Sequence, residues 1–337
     1  MARCIGGIMT LVHGGQLRAA SMQYGGSIDE WLDLSTGIAP WSYPLPSVPD
    51  EIWQRLPENN DGLETAASNY YQVAENQLLP IAGSQWAIEQ ISRLYPAGLK
   101  VGMLRYSYAE HALAWQAAGH TLRLFDNFES LLLDAAFLNV VVLISPDNPL
   151  GYCVSEQDLC LLKQKLYLGV MVIDLAFIDG NTIPHIPLEK DIWLLRSVGK
   201  FFGLAGIRLG FVLAIEEQIE QLAQKQSPWA VNHLARWAGK IALADTRWQT
   251  DQYQKLTEQS QRLKRTLERN QFTIITQTDY FVTMTHHNAQ LIYQSALSTH
   301  ILLRYFPAFN GIRFGLPKTE GDWFRLEKWL QETLCLL

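Results

Sequence analysis

Five short, uninterrupted apolar runs, separated by segments of helical period, constrain this chain more than any other feature. The runs are Val101 to Leu104, Val140 to Ile144, Val170 to Ile173, Ile192 to Leu195 and Gly210 to Ala214. Between several of them apolar residues recur at helical spacing, as at Ala87, Ile91, Leu94 and Tyr95, or at Leu159, Leu162 and Leu166. A strand that is apolar on both faces must be covered on both, and intervening helices supply the cover. The pattern predicts an α/β doubly wound unit built on a mostly parallel sheet.

The chain has 337 residues, enough for two domains or one large one. Residues 1–45 carry Pro40 and Pro44, with Pro46 and Pro49 just beyond, and show little periodicity, so they are expected to form an arm that joins a small domain. Residues 46–225 are expected to be the large domain. From Ile215 to Asn270 the texture is almost all helix-period, interrupted at Ser227–Pro228 and near Asp245. Short strands (Phe272 to Ile275, Tyr280 to Met284, Ile312 to Gly315) then mix with helices, one starting at Glu320. Residues 226–337 therefore read as a smaller α+β domain.

Composition excludes several classes of function. Lys and Arg total 27 against 33 Asp and Glu, a net charge of −6, so no basic field exists to hold a nucleic acid backbone. The four cysteines, Cys4, Cys153, Cys160 and Cys335, form no CxxC pair, which speaks for reduced thiols in a cytoplasmic protein and against a zinc site or disulfide framework. No apolar run approaches the ~20 residues of a membrane helix. Met1 to Gly15 is too short and interrupted for a signal segment.

The richest segment for chemistry is Arg196-Ser197-Val-Gly199-Lys200-Phe-Phe-Gly-Leu-Ala-Gly-Ile-Arg208. A lysine after an apolar strand, in a turn with few charged neighbours, can be desolvated enough to serve as an amine nucleophile. Gly199–Lys200 also has to be weighed as a phosphate loop. That motif needs Gly six residues before the Lys and Ser or Thr after it, where this chain has Leu194 and Phe201. Asp174 ends the run Val170 to Ile173, and a carboxylate buried there needs a cationic partner. Gly83, Ser84 and Gln85 open a helix whose N-terminal amides suit a phosphate. Near the C-terminus Arg304 and Arg313 stand in apolar strand-like contexts, where a guanidinium is costly without an anion.

Ser197-x-x-Lys200 with Arg208 eight residues on resembles the Schiff-base lysine motif of fold-type I pyridoxal-phosphate enzymes, the aspartate aminotransferase superfamily. Further matches follow the order that the family requires: Gly83-Ser84-Gln85, Tyr106-Ser-Tyr108, Ser145-Pro-Asp-Asn148-Pro149-Leu150-Gly151, Asp174-Leu-Ala-Phe177 and Arg313. The resemblance implies pyridoxal 5′-phosphate as cofactor, in a large domain with a mostly parallel seven-stranded sheet. It implies that Lys200, Asp174 and Tyr108 are catalytic, with Asp174 meeting the pyridine nitrogen and Tyr108 stacked on the ring. Asn148 would reach the phenolic oxygen, and Gly83, Ser84, Gln85, Ser197 and Arg208 would hold the phosphate, with Phe177 beside them. His111 reads as a structural neighbour, and no metal is expected.

Leu11-Val-His13-Gly14-Gly15 and Trp31-Leu-Asp33-Leu-Ser35-Thr-Gly37-Ile-Ala39-Pro40 look like the N-terminal signature of the cobalamin-pathway L-threonine O-3-phosphate decarboxylases. Trp53-Gln-Arg-Leu-Pro57, Tyr70-Tyr71 and Ala109-Glu-His111 extend the likeness over essentially the whole chain. It implies a cytoplasmic homodimer that converts a phosphorylated amino acid to (R)-1-amino-2-propanol O-2-phosphate. Arg313 would hold the substrate α-carboxylate, with Arg304 and His13 as candidates for its distal phosphate and Tyr70 or Tyr71 reaching the neighbouring subunit's cofactor. The sequence leaves two alternatives open: an aminotransferase like those acting on histidinol phosphate, and a non-catalytic pathway scaffold. Departures from the family pattern are Ala39 for Asn, Leu150 for Thr, Phe177 for Tyr and Gly199 for Ser or Thr.

Overall fold

Seven strands form the central sheet, and the residues that make them explain its layering. They are β1 (Leu78–Ile81), β2 (Lys100–Leu104), β3 (Thr121–Phe125), β4 (Val140–Ile144), β5 (Val170–Asp174), β6 (Ile192–Ser197) and β7 (Gly210–Leu213). Their order across the sheet is β1-β7-β6-β5-β4-β2-β3. β7 runs antiparallel to both of its neighbours, and every other pairing is parallel. The mostly parallel sheet expected from the apolar runs is present, with the seven strands that the resemblance implies. β4, β5 and β6 are buried at every position, as strands covered on both faces must be.

The structure is a computed structural model and describes residues 4–5, 8–9, 13–166, 169–179 and 186–334. Leu11, Val12 and Cys335 lie outside the described residues. The core on one face packs Val101, Met103, Val142, Val172, Trp193 and Leu195 of the strands against Ile88 and Ile91 of helix Ser84–Ser92 and Trp115 of helix Ala109–Ala117. The Trp193 indole N–H is not stranded there, because it donates to the Tyr95 hydroxyl at 2.9 Å.

The chain divides into two units, Ser42–Tyr253 on one hand and Met1–Trp41 with Gln254–Leu337 on the other. These limits differ from 45/46 and 225/226, the second most of all. Helix His233–Ala244 belongs to the large unit because Arg236 pairs with Asp61 at 2.8 Å and with Glu64 at 2.7 Å. In the smaller unit four strands, β8 (Thr273–Gln277), β9 (Phe281–Thr285), β10 (Arg304–Phe306) and β11 (Gly311–Gly315), make an antiparallel sheet in the order β8-β9-β11-β10. Residues 13–41 are more regular than their composition suggests. They include helix Leu17–Tyr24, and the short strand Leu32–Asp33 pairs in parallel with Ile301–Leu302. Among the described residues no helix is long and apolar enough to cross a membrane.

Candidate active site

The parallel strands stop on one side of the sheet, and the loops that follow them enclose a pocket with about 740 Å³ of empty space, its mouth included. Gly83, Ser84 and Gln85 line it from the end of β1, and Tyr108 from the segment after β2. Asn148 follows β4, and Asp174 and Phe177 come from the end of β5. Ser197, Lys200 and Arg208 complete the wall between β6 and β7. All ten residues singled out in the sequence as cofactor contacts therefore face one cavity within the large unit.

One end of the pocket is built for an anion. Helix Ser84–Ser92 begins there with Gly83 as its uncapped N-terminal residue and no acidic side chain in its first turn. Gly83 has φ +80°, and a Cβ on it would stand 2.5 Å from Nη2 of Arg208. Only glycine lets the guanidinium come this close. Gln85 contributes less than its side chain promises, because its amide donates to Glu110 at 3.1 Å and Glu89 at 3.3 Å. What it offers a ligand is its backbone.

Asp174 is a fixed acceptor deeper in the same pocket. Its residue exposure is 4%. Oδ2 lies 3.0 Å from Nε2 of the fully buried His111, and Oδ1 accepts from the backbone N–H of Ala176 at 3.0 Å. His111 is thus more than a neighbour of Tyr108: it grips the carboxylate from behind. The Tyr108 phenol is pushed up to about 12 by burial, with Glu110 and Asp174 adding to the rise and Arg208 opposing it. It remains protonated at neutral pH.

Lys200 sits in the short helix Val198–Phe201, started by Ser197, whose hydroxyl accepts from the Gly199 N–H at 3.3 Å. Its Nζ lies 4.9 Å from the centroid of the Phe177 ring, a cation–π approach. The absence of a side chain at 199 has a steric cause. A Cβ there would stand 3.0 Å from the Cα of Ala205.

The family model for aminotransferase class I and II matches residues 56–326. The chain belongs to that family. Among relatives of this class I and II member, threonine-phosphate decarboxylase from Pseudomonas aeruginosa is 38% identical over 94% of this chain and 96% of its own length. A threonine-phosphate decarboxylase from a Sinorhizobium species is 34% identical over 93% and 95%. The solved histidinol-phosphate aminotransferase from Sinorhizobium meliloti, in complex with pyridoxal-5′-phosphate, superposes with a TM-score of 0.84 at 22% identity, covering 96% of this chain and 95% of that one. At that identity the structural likeness speaks to the fold, which is that of a fold-type I aminotransferase.

In this aminotransferase-family chain the residues expected to bind substrate all fall in the smaller unit. Arg313 on β11 faces Arg304 on β10 in register. Arg313 is buried and donates from Nη2 to the carbonyl of Ser35. Burial, joined by the Arg304 charge and opposed by Asp33, lowers its pKa to about 9. Gly15 donates to Ser35 Oγ at 2.7 Å, which joins the exposed segment of His13 to the same strand end.

Tyr70 and Tyr71, adjacent on helix Leu63–Tyr71, pack edge-on against each other. The Tyr70 hydroxyl donates to Asp179 at 3.0 Å, and the Tyr71 ring lies 4.6 Å from the Arg196 guanidinium and edge-on to Phe211. Asp179 and Arg196 form a buried ion pair between them. Among the described residues no group of His, Cys, Asp and Glu is placed to hold a metal ion.

Proposed function

We propose that this protein is a pyridoxal-phosphate enzyme that decarboxylates L-threonine O-3-phosphate to (R)-1-amino-2-propanol O-2-phosphate, a step toward cobalamin. The end-to-end likeness to the Pseudomonas aeruginosa decarboxylase carries this reading. Exposed, unbridged Cys153 and Cys160 agree with a reducing cytoplasmic setting. A homodimer belongs to the same proposal.

The pocket fits the cofactor on its own chemistry. Gly83 preserves a space that any Cβ would fill, between uncapped helix amides and Arg208. The buried Asp174, held by His111, lines the pocket with a carboxylate that suits a cationic ring nitrogen. Ser84, Ser197 and Arg208 would hold the phosphate, Asp174 the pyridine nitrogen, Asn148 the phenolic oxygen and Tyr108 the ring face. Bound there, pyridoxal phosphate supplies an electron sink for the pair released when a bond to an amino acid Cα breaks.

The chain's own residues do the rest. Asp174 would face the ring nitrogen of a bound cofactor, and its contact with His111 would keep the carboxylate from turning away. Lys200, which lines the pocket, would supply the amine and return a proton to the substrate Cα. Arg313 is the proposed partner of the substrate α-carboxylate, and Arg304 and His13 of its phosphate. Which bond at Cα breaks depends on how those cations orient the two anionic ends.

The test is product analysis with L-threonine O-3-phosphate and pyridoxal phosphate. Carbon dioxide and the amino-propanol phosphate are expected in equal amounts. A keto acid in their place means transamination, and no turnover with bound cofactor means a scaffold.

A further inference from the structure

Two walls of the pocket are tied to each other by a contact outside it. Ser107 immediately precedes Tyr108, and Asp147 immediately precedes Asn148. The Ser107 hydroxyl donates to Oδ1 of Asp147, whose residue exposure is 1%. Asp147 is itself the fixed point of its turn: its N–H donates to the Tyr152 carbonyl at 2.8 Å, and its carbonyl accepts from Gly151 at 2.8 Å. Backbone N–H groups of Asn148 and Leu150 also donate toward the carboxylate. Neither Ser107 nor Asp147 lines the cavity, yet each sits one residue from a side chain that does.

We propose that Asp147 is a positioning residue for the cofactor: by accepting from Ser107 it holds the turn of Asn148 against the segment of Tyr108 and fixes the spacing between them. The proposal deepens the pyridoxal-phosphate reading and rests on it. A carboxylate is not required for this task. Any acceptor of the same shape closes the latch, and the Asp174 charge nearby makes a second negative group in the site a burden.

The purified full-length protein, stripped and reloaded with pyridoxal phosphate, tests this through the visible absorbance titration and the visible circular dichroism of the bound cofactor. Dichroism reports a ring held in one orientation, which general stability does not set. Ser107→Ala and Asp147→Ala are expected to weaken cofactor binding about tenfold and to reduce the dichroic amplitude per bound cofactor. The double variant should be no worse than Asp147→Ala alone, because once the acceptor is gone the Ser107 hydroxyl has nothing left to latch. Asp147→Asn, which keeps an acceptor oxygen, should stay within about twofold of wild type. If Asp147→Ala does not fold, Ser107→Ala and Asp147→Asn decide the matter. Wild-type affinity and dichroism in Ser107→Ala overturn the proposal, and so does an Asp147→Asn as damaged as Ser107→Ala. Wild-type protein that takes up no pyridoxal phosphate defeats the cofactor reading itself, and the latch as a cofactor device with it.

Discussion

Asp147 shows how a residue can matter without touching the cavity. Burial pushes its carboxyl up to about 7, Asp174 adds to the rise, and the Ser107 hydroxyl with the Asn148 and Leu150 amides pulls it down. An unfolded chain would release that proton near 3.8. The folded state therefore binds more protons between these values, so the associated stability is present below about pH 4 and is lost as pH rises through about 7. Asp147→Asn cannot ionise. Its melting temperature, compared with wild type in the cofactor-free protein, should gain more at pH 8 than at pH 5, and an equal gain at both would show that the proton is not the cause. At Lys200 the expected loss is of another kind. Lys200→Ala should abolish turnover while leaving the melting temperature nearly unchanged, and Asp174→Ala should lower kcat by orders of magnitude with cofactor still bound. The ten pocket residues were legible because each belongs to a short local motif. Ser107 with Asp147, His111 with Asp174 and Asp179 with Arg196 were not, since their meaning lies in contacts between segments that no spacing along the chain reveals.

Elements differ in how openly the sequence declares them, and burial is the reason. β4, β5 and β6 are apolar throughout because both faces are covered. β1 and β3, at the two edges, went unrecognised. β3 (Thr121–Phe125) buries only Phe125 and exposes Thr121 and Arg123, while β1 contains Pro80, which an edge strand tolerates because one of its sides makes no ladder. The helix Leu17–Tyr24 hides for a similar reason, with Ala20 its one buried residue. A prediction at this scale concerns the start of helix Ser84–Ser92. Gly83→Ala places a Cβ against Arg208 in a backbone region that L-residues avoid. Pyridoxal phosphate affinity should fall at least about tenfold while far-UV circular dichroism stays that of the folded chain. Unchanged affinity would mean that the guanidinium has another place to go.

At the scale of the whole molecule, the first boundary was nearly legible and the second was not. Prolines punctuate the sequence near residue 41, whereas nothing in the helical stretch after Ile215 announces that Arg236 reaches back to Asp61 and Glu64. Large apolar side chains remain uncovered on the large unit, among them Trp53 at 63% and Trp229 at 61% exposure. Such side chains are available to an association surface, and the homodimer proposed above should appear in sedimentation at micromolar concentration. An active monomer would remove it from the proposal.

The antiparallel strand β7 has a consequence in time. Gly210, its first residue, is in register with Ile81 on one side and Ser197 on the other, so the anion seat made by residues 83, 84, 197 and 208 is assembled by one strand inserted between two others. β6 is close to β7 in sequence but β1 is far from it, and such long-range pairings form late and slowly. A chain that has not yet closed its sheet has no seat, so pyridoxal phosphate should leave the refolding rate unchanged and slow unfolding alone, as a ligand of the native state does. Cofactor capture thereby acts as a checkpoint: only molecules with β7 seated between β1 and β6 become loaded.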